Sequence, residues 1–153
     1  MKVKHFSAKE IQELDRIERL NLINSVTGFK SANLVGSIDS EGNTNLTVFS
    51  SVFHLGSNPA LVGMMVRPVV GMRHTYENIL ATGFYTINHV GIEFIENAHY
   101  TSAKFPKEES EFDACKLTEQ FVSDFKAPYV RESRLKIGLK LVDDILIEAN
   151  QTR

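Results

Sequence analysis

Three strand-like segments follow one another between residues 31 and 67, and the gaps between them hold turns rather than helices. Residues 31–39 place Leu34, Gly36 and Ile38 on alternate positions. Ser40-Glu41-Gly42-Asn43 has turn composition. Residues 44–52 return as a second strand, β-branched and aromatic at Thr47, Val48 and Phe49. Asn58-Pro59 marks the next turn, and residues 60–67 read as a buried strand ended by Pro68. Strands joined this closely pair antiparallel, because a parallel pair needs a crossover of a dozen or more residues. The fold class expected is mainly β with marginal helices, a largely antiparallel sheet or barrel.

The rest of the chain fits around that core. Ser7-Ala8-Lys9-Glu10 is a capping box, and Ile11, Leu14, Ile17 and Leu20 continue it as one amphipathic helix ending before Thr27-Gly28. Residues 75–81 form a short helix closed by Gly83, residues 84–90 a strand, and residues 91–104 a helix with Ile92, Ile95 and Ala98 on one face. The charged run 106–113 reads as a solvated helix or loop. Residues 135–148 read as one long strand, bulged where Asp143-Asp144 shifts the alternation. Phe53, Phe84 and Phe94 are expected in the core. At 153 residues the chain suits a single domain, here residues 1–27 as a helical segment and 28–153 as the sheet with inserted helices.

Composition narrows function mainly by exclusion. A formal charge of −2 gives no reason to expect a nucleic-acid or membrane partner. The single cysteine, Cys115, cannot close an internal disulfide and reads as a small core residue. It suits a reducing, cytoplasmic compartment, and the amino-terminal residues lack the apolar run of a signal peptide. Gly-x-Gly-x-x-Gly, Gly-x-x-x-x-Gly-Lys-[Ser/Thr], His-Glu-x-x-His and Gly-x-Ser-x-Gly are all missing. The histidines are too scattered to nominate a metal site, and no side chain is nominated as catalytic. An enzyme built this way must take its chemistry from a cofactor.

Residues 45–78 suggest which cofactor. Asn45, Thr47, Ser50 and Ser51 put small hydrogen-bonding side chains along one strand, where they can meet a flat polar ring without crowding it. Arg73-His74-Thr75 opens the following helix. Helix openings carry unpaired N–H groups and the positive end of the dipole, and so favour phosphate. An Arg fork grips two phosphate oxygens at once. A phosphorylated, planar cofactor such as FMN answers both requirements.

Seven stretches, in order, strengthen this reading: Gly28-Phe29-Lys30-Ser31-Ala32-Asn33-Leu34, Asn45-Leu46-Thr47-Val48-Phe49-Ser50-Ser51, Gly56-Ser57-Asn58-Pro59 leading to Arg67-Pro68, Arg73-His74-Thr75-Tyr76-Glu77-Asn78-Ile79, Tyr85-Thr86-Ile87-Asn88-His89, Ala98-His99-Tyr100-Thr101-Ser102-Ala103-Lys104, and Phe125-Lys126-Ala127-Pro128. With them the chain resembles flavin reductase-like proteins of the FMN-binding split-barrel superfamily, on the flavoredoxin side. The resemblance implies a split-barrel homodimer that binds FMN, with NADPH or NADH as a transient electron donor. It implies Asn45, Leu46 and Thr47 beside the ring, Ser50 and Ser51 toward the ribityl-phosphate end, and Arg73, His74 and Thr75 on the phosphate. Lys30 and His99 are further candidates, for the phosphate and for the substrate side of the ring. Relatives continue with another strand or two, so residues 148–153 are expected to be a hairpin turn and the barrel to be incomplete at the carboxyl end. Two other functions fit the same residues: an FMN electron carrier served by a redox protein, and a cofactor-free dimer module.

Overall fold

The structure, a computed structural model, describes residues 4–67, 73–106 and 108–153. The chain divides into two compact units, Met1–Lys30 and Ser31–Arg153.

In the first unit the expected helix is two. α1 (Ala8–Glu13) starts with the capping box: Ser7 Oγ accepts from the Glu10 N–H at 3.2 Å, and the Glu10 carboxylate accepts from the Ser7 N–H at 2.7 Å. α2 (Arg16–Ser25) begins afresh because Asp15 is its N-cap, its carboxylate accepting from the Ile17 and Glu18 N–H groups at 2.7 and 3.0 Å. An acidic cap inside an unbroken apolar period restarts the helix, and the period alone does not reveal it.

The second unit is built on a four-stranded antiparallel sheet. Its strands are β1 (Asn33–Ile38), β2 (Thr44–Phe49), β5 (Phe84–His89) and β8 (Lys136–Lys140), in the order β2-β1-β5-β8. β3 (Val52–Ser57) and β4 (Ala60–Met64) form a separate hairpin. The expected second strand, residues 44–52, therefore divides at Ser50. β6 (Glu119–Gln120) and β7 (Tyr129–Val130) form a third, minimal pair. Among the described residues no ladder joins these three sheets into a closed barrel. The β4 segment is shorter than expected and at most half-buried, and Phe53 on β3 is 43% exposed rather than core. Pro68, the expected stop, lies outside the described residues.

Among the described residues three helices complete the unit: α3 (His74–Thr82), α4 (Ile95–Tyr100) after a 3-10 turn at Ile92–Phe94, and α5 (Glu111–Ala114). Gly83 closes α3 with φ +76°, the left-handed geometry that favours glycine. The central strand β1 is buried along nearly its whole length because both faces of the sheet are covered. On one face Leu34 and Leu46 pack with Phe94, Ala98, Phe112, Cys115 and Leu117; on the other, Val35 and Ile87 pack with Ile79 and Tyr85. Cys115 is a core residue, as expected, and burial pushes its thiol pKa up.

The long strand expected over residues 135–148 stops at Lys140. Leu141 still donates its N–H to Gly83 O, but then the chain turns away, and Asp144 accepts from the Tyr76 hydroxyl at 2.9 Å and from Arg153. The carboxylates end the strand instead of bulging it. The expected hairpin turn is present: Ile147 pairs with Thr152, and Arg153 exchanges backbone hydrogen bonds with Val66.

The strand β5 carries a buried polar cluster. Thr86 Oγ1 donates to Pro128 O at 2.6 Å, and Asn88 Nδ2 donates to Thr86 Oγ1 and Leu34 O while its Oδ1 accepts from the Val130 N–H. Each of these groups is satisfied, so the cluster pins residues 127–130 to the sheet without an unpaired polar atom. Gly36 makes the close approach possible, since a Cβ there would lie 2.2 Å from Pro128 O and 2.7 Å from Thr86 Oγ1. We therefore expect Gly36→Ala to cost about 1–3 kcal/mol or more, the usual range for overpacking a filled core. Urea denaturation checks this, and an unchanged midpoint would contradict the packing described.

Candidate functional site

The sheet brings β2 against the opening of α3, so the two halves of the expected site do meet. Thr75 Oγ1 donates to Asn45 Oδ1 at 2.6 Å, with Thr47 Oγ1 at 3.2 Å. Asn78 Nδ2, one turn further along α3, donates to Ser37 Oγ on β1 at 3.3 Å. Thr75 is not the cap of this helix. Arg73 holds the N-cap position without a side-chain cap bond, and the Thr75 hydroxyl is turned inward to the strand, 7% exposed.

Asn45 is also held on its other side. The α5 residue Glu111 is 6% exposed and accepts from Asn45 Nδ2 with both carboxylate oxygens, each at 2.8 Å, and from the Leu46 N–H at 3.0 Å. Next to it, Ser110 Oγ and Thr44 Oγ1 share a hydrogen bond at 3.0 Å. A carboxylate can only accept, so it sets the orientation of the Asn45 amide: NH2 toward Glu111, carbonyl toward Thr75. Glu111 falls in the run expected to be solvated, and the expectation is corrected here. Its partners lie 65 and 66 residues earlier in the chain, so no local pattern announces its burial. The one signal within reach was the apolar pair beyond it, Phe112 and Cys115, which commits this helix to the core.

The remaining candidates divide by exposure. Thr47 is half-buried, and Ser50 is exposed just past the end of β2. Ser51 is engaged in the hairpin, its Oγ donating to Met65 O at 2.8 Å. Leu46 is fully buried in the core and its N–H is given to Glu111, so it can offer a ligand at most its main-chain carbonyl. His99 is exposed at the end of α4 beside Tyr100, with ring centroids 6.4 Å apart. Lys30 is exposed as the last residue of the first unit. Arg73 is exposed at the mouth of α3.

His74 is the first residue of α3, and its Nδ1 is buried without a hydrogen-bond partner. Glu77 Oε2 stands 4.0 Å away, outside hydrogen-bond range. A small crevice beside it is lined by Asp39, Asn43, Asn45, Asn78, Glu109 and Glu111 among others. Three carboxylates make that crevice a poor place for a phosphate, by like-charge repulsion. An anion at this end of α3 would approach by the Arg73 side instead. No group of described residues has the make-up of a metal site, and no helix among them is long and apolar enough to cross a membrane.

Burial raises the pKa of Glu111 above the ordinary carboxylate value; the donors on Leu46 and Asn45 and the nearby His74 oppose this without cancelling it. Folded protein thus keeps this proton to higher pH than unfolded protein does. Stability from this group is present below the unfolded-state pKa, about 4.3, and is lost as pH rises through the raised folded-state value. We expect the stability of the native chain minus that of Glu111→Gln to shrink with rising pH in that window. Urea titrations across the acid range read it, and a difference that stays flat or grows counts against it.

Comparison with known proteins bears on the same residues. The family model described as flavin reductase like domain matches residues 29–152. A candidate flavin reductase with split barrel domain from Shewanella frigidimarina NCIMB 400 is 53% identical, with a TM-score of 0.93 over 98% of this chain and 74% of that one. The flavoredoxin of Desulfovibrio vulgaris (Miyazaki F) is 26% identical, with a TM-score of 0.67 over 76% of this chain and 62% of that one. Among curated sequences, an uncharacterized protein of Aquifex aeolicus (strain VF5) is 28% identical over 109 residues, or 70% of this chain. The match spans 56% of that relative's length.

Proposed function

Since the chain belongs to the flavin reductase like domain family, we propose that it binds FMN and serves as an NAD(P)H-dependent flavin oxidoreductase. The observation that carries this reading is the opening of a nine-residue helix, α3, with Arg73 exposed at its mouth and the helix tied to β2 through Thr75. The helix dipole and the Arg73 charge favour an anion at that end. The hydroxyls of Thr47 and Ser50 on and beyond β2 suit the polar edge and side chain of a flavin.

Bound there, FMN would supply the redox chemistry, with NADH or NADPH as the electron donor. The chain's own work is positioning. Arg73 and the main-chain N–H groups at the opening of α3 would hold the phosphate; the Thr47 hydroxyl would orient the ring and offer it a hydrogen bond. His99, exposed on α4, meets the nicotinamide. Asn45 and Thr75 act from beneath, since their side chains are bonded to each other and to Glu111. Apolar side chains exposed at Phe53, Leu55 and Ile137 support assembly as a homodimer, which sedimentation equilibrium would show as a doubled mass, and a monomer at assay concentration would refute.

Quenching of FMN fluorescence by the protein, and oxidation of NADH or NADPH in the presence of FMN, test the function directly. We expect Arg73→Ala to weaken FMN binding by about 1–3 kcal/mol, the worth of a charge-assisted hydrogen bond. Unchanged affinity would remove Arg73 from the phosphate. The likeness to flavoredoxin supports a second reading, an FMN carrier reduced by a redox protein. Flavin that nicotinamides fail to reduce, while such a protein reduces it, would favour the carrier.

A further inference from the structure

We infer that Glu111 is a positioning residue for the flavin site: through Asn45 it holds the opening of α3 in register with β2, and so couples phosphate recognition to ring recognition. The inference rests on the FMN reading above and deepens it.

The coupling runs through hydrogen-bond direction. Glu111 presents two acceptors and is met by donors only, the Asn45 NH2 and the Leu46 N–H. That leaves the Asn45 carbonyl facing Thr75, and the Thr75 hydroxyl proton committed to it at 2.6 Å. Thr75 is the second residue of α3, next to His74, so the helix opening is tied to β2 at the point where the phosphate contacts begin. Neither Glu111 nor Asn45 has to touch the ligand. α5 is only four residues long, and Ser110, Glu111 and Phe112 fasten it to β2 and the core.

A Gln at position 111 breaks the relay while nearly preserving shape. It offers one acceptor and one donor where two acceptors stand. Its oxygen can still take the Leu46 N–H, but its NH2 then faces the Asn45 NH2, and the Asn45 amide must turn over. That places a donor against the Thr75 hydroxyl, whose proton must leave Asn45 and turn to Thr47 Oγ1, so the link in its present direction is lost. Exchanging both residues, Glu111→Gln with Asn45→Asp, restores the pattern: the Gln NH2 donates to the Asp, whose second oxygen again accepts from Thr75.

The test compares FMN with riboflavin, which carries the ring without the phosphate, by fluorescence titration on the full chain. If α3 is positioned by Glu111, Glu111→Gln lowers the preference for FMN over riboflavin by about tenfold or more, the scale of one charge-assisted hydrogen bond. The exchanged pair restores most of it. A role in folding alone would lower the melting temperature and weaken both flavins alike. Preference retained in folded Glu111→Gln, or not regained by the exchanged pair, overturns the inference. Should Glu111→Gln fail to fold, Asn45→Ser takes its place: it cuts the link to Thr75, and unchanged preference there overturns the inference equally. A native chain that binds neither flavin, or both equally, refutes instead the FMN reading on which this rests.

Discussion

A carboxylate with 6% of its surface exposed, from a four-residue helix, joins parts of this chain that are far apart in sequence. Glu111 takes hydrogen bonds from a strand side chain and from the main chain of the next strand residue. The cost of removing such a charge from water is large unless donors surround it, and here they do. The arrangement has a direction: an acceptor-only group at one end leaves each following group one way to face. β2 and α3 are thereby fixed to each other by chemistry as well as by packing, and the proposed flavin site stands on that junction.

The other buried polar cluster serves a different end. Thr86 and Asn88 lie in β5, both fully buried, and bind the main chain of residues 34, 128 and 130. They hold an irregular segment against a regular sheet, with Gly36 leaving room for it. The sheet is thus specified on both faces by apolar contact and by a few satisfied polar groups, each of which excludes alternative registers.

Local chemistry was legible in the sequence wherever it acts over a few residues. The capping box at Ser7 and Glu10, the turn around Gly42, the left-handed Gly83 and the antiparallel order of the early strands are all as the residues suggest. Family likeness added the open, split arrangement. What stayed hidden depends on distant partners. Asp15 restarts a helix inside an apolar period; Asp144 leaves the sheet because Tyr76 and Arg153 take it. Glu111 sits among charges that are solvated, and only the fold shows that it is not. Thr75 was expected on the phosphate, yet a strand 30 residues earlier claims its hydroxyl.

One consequence follows from the sheet order. Gly36 and Thr86 are neighbours across the β1–β5 ladder, and Thr86 and Gly138 across β5–β8, so each central pairing closes a loop of about fifty residues. Loop closure costs entropy before the contacts it permits are made. Among the described residues the β1–β2, β3–β4 and β6–β7 pairings are local. The assembly of this chain thus turns on two long-range encounters through a single strand, β5, which places the molecule among slow-folding topologies whatever its final stability.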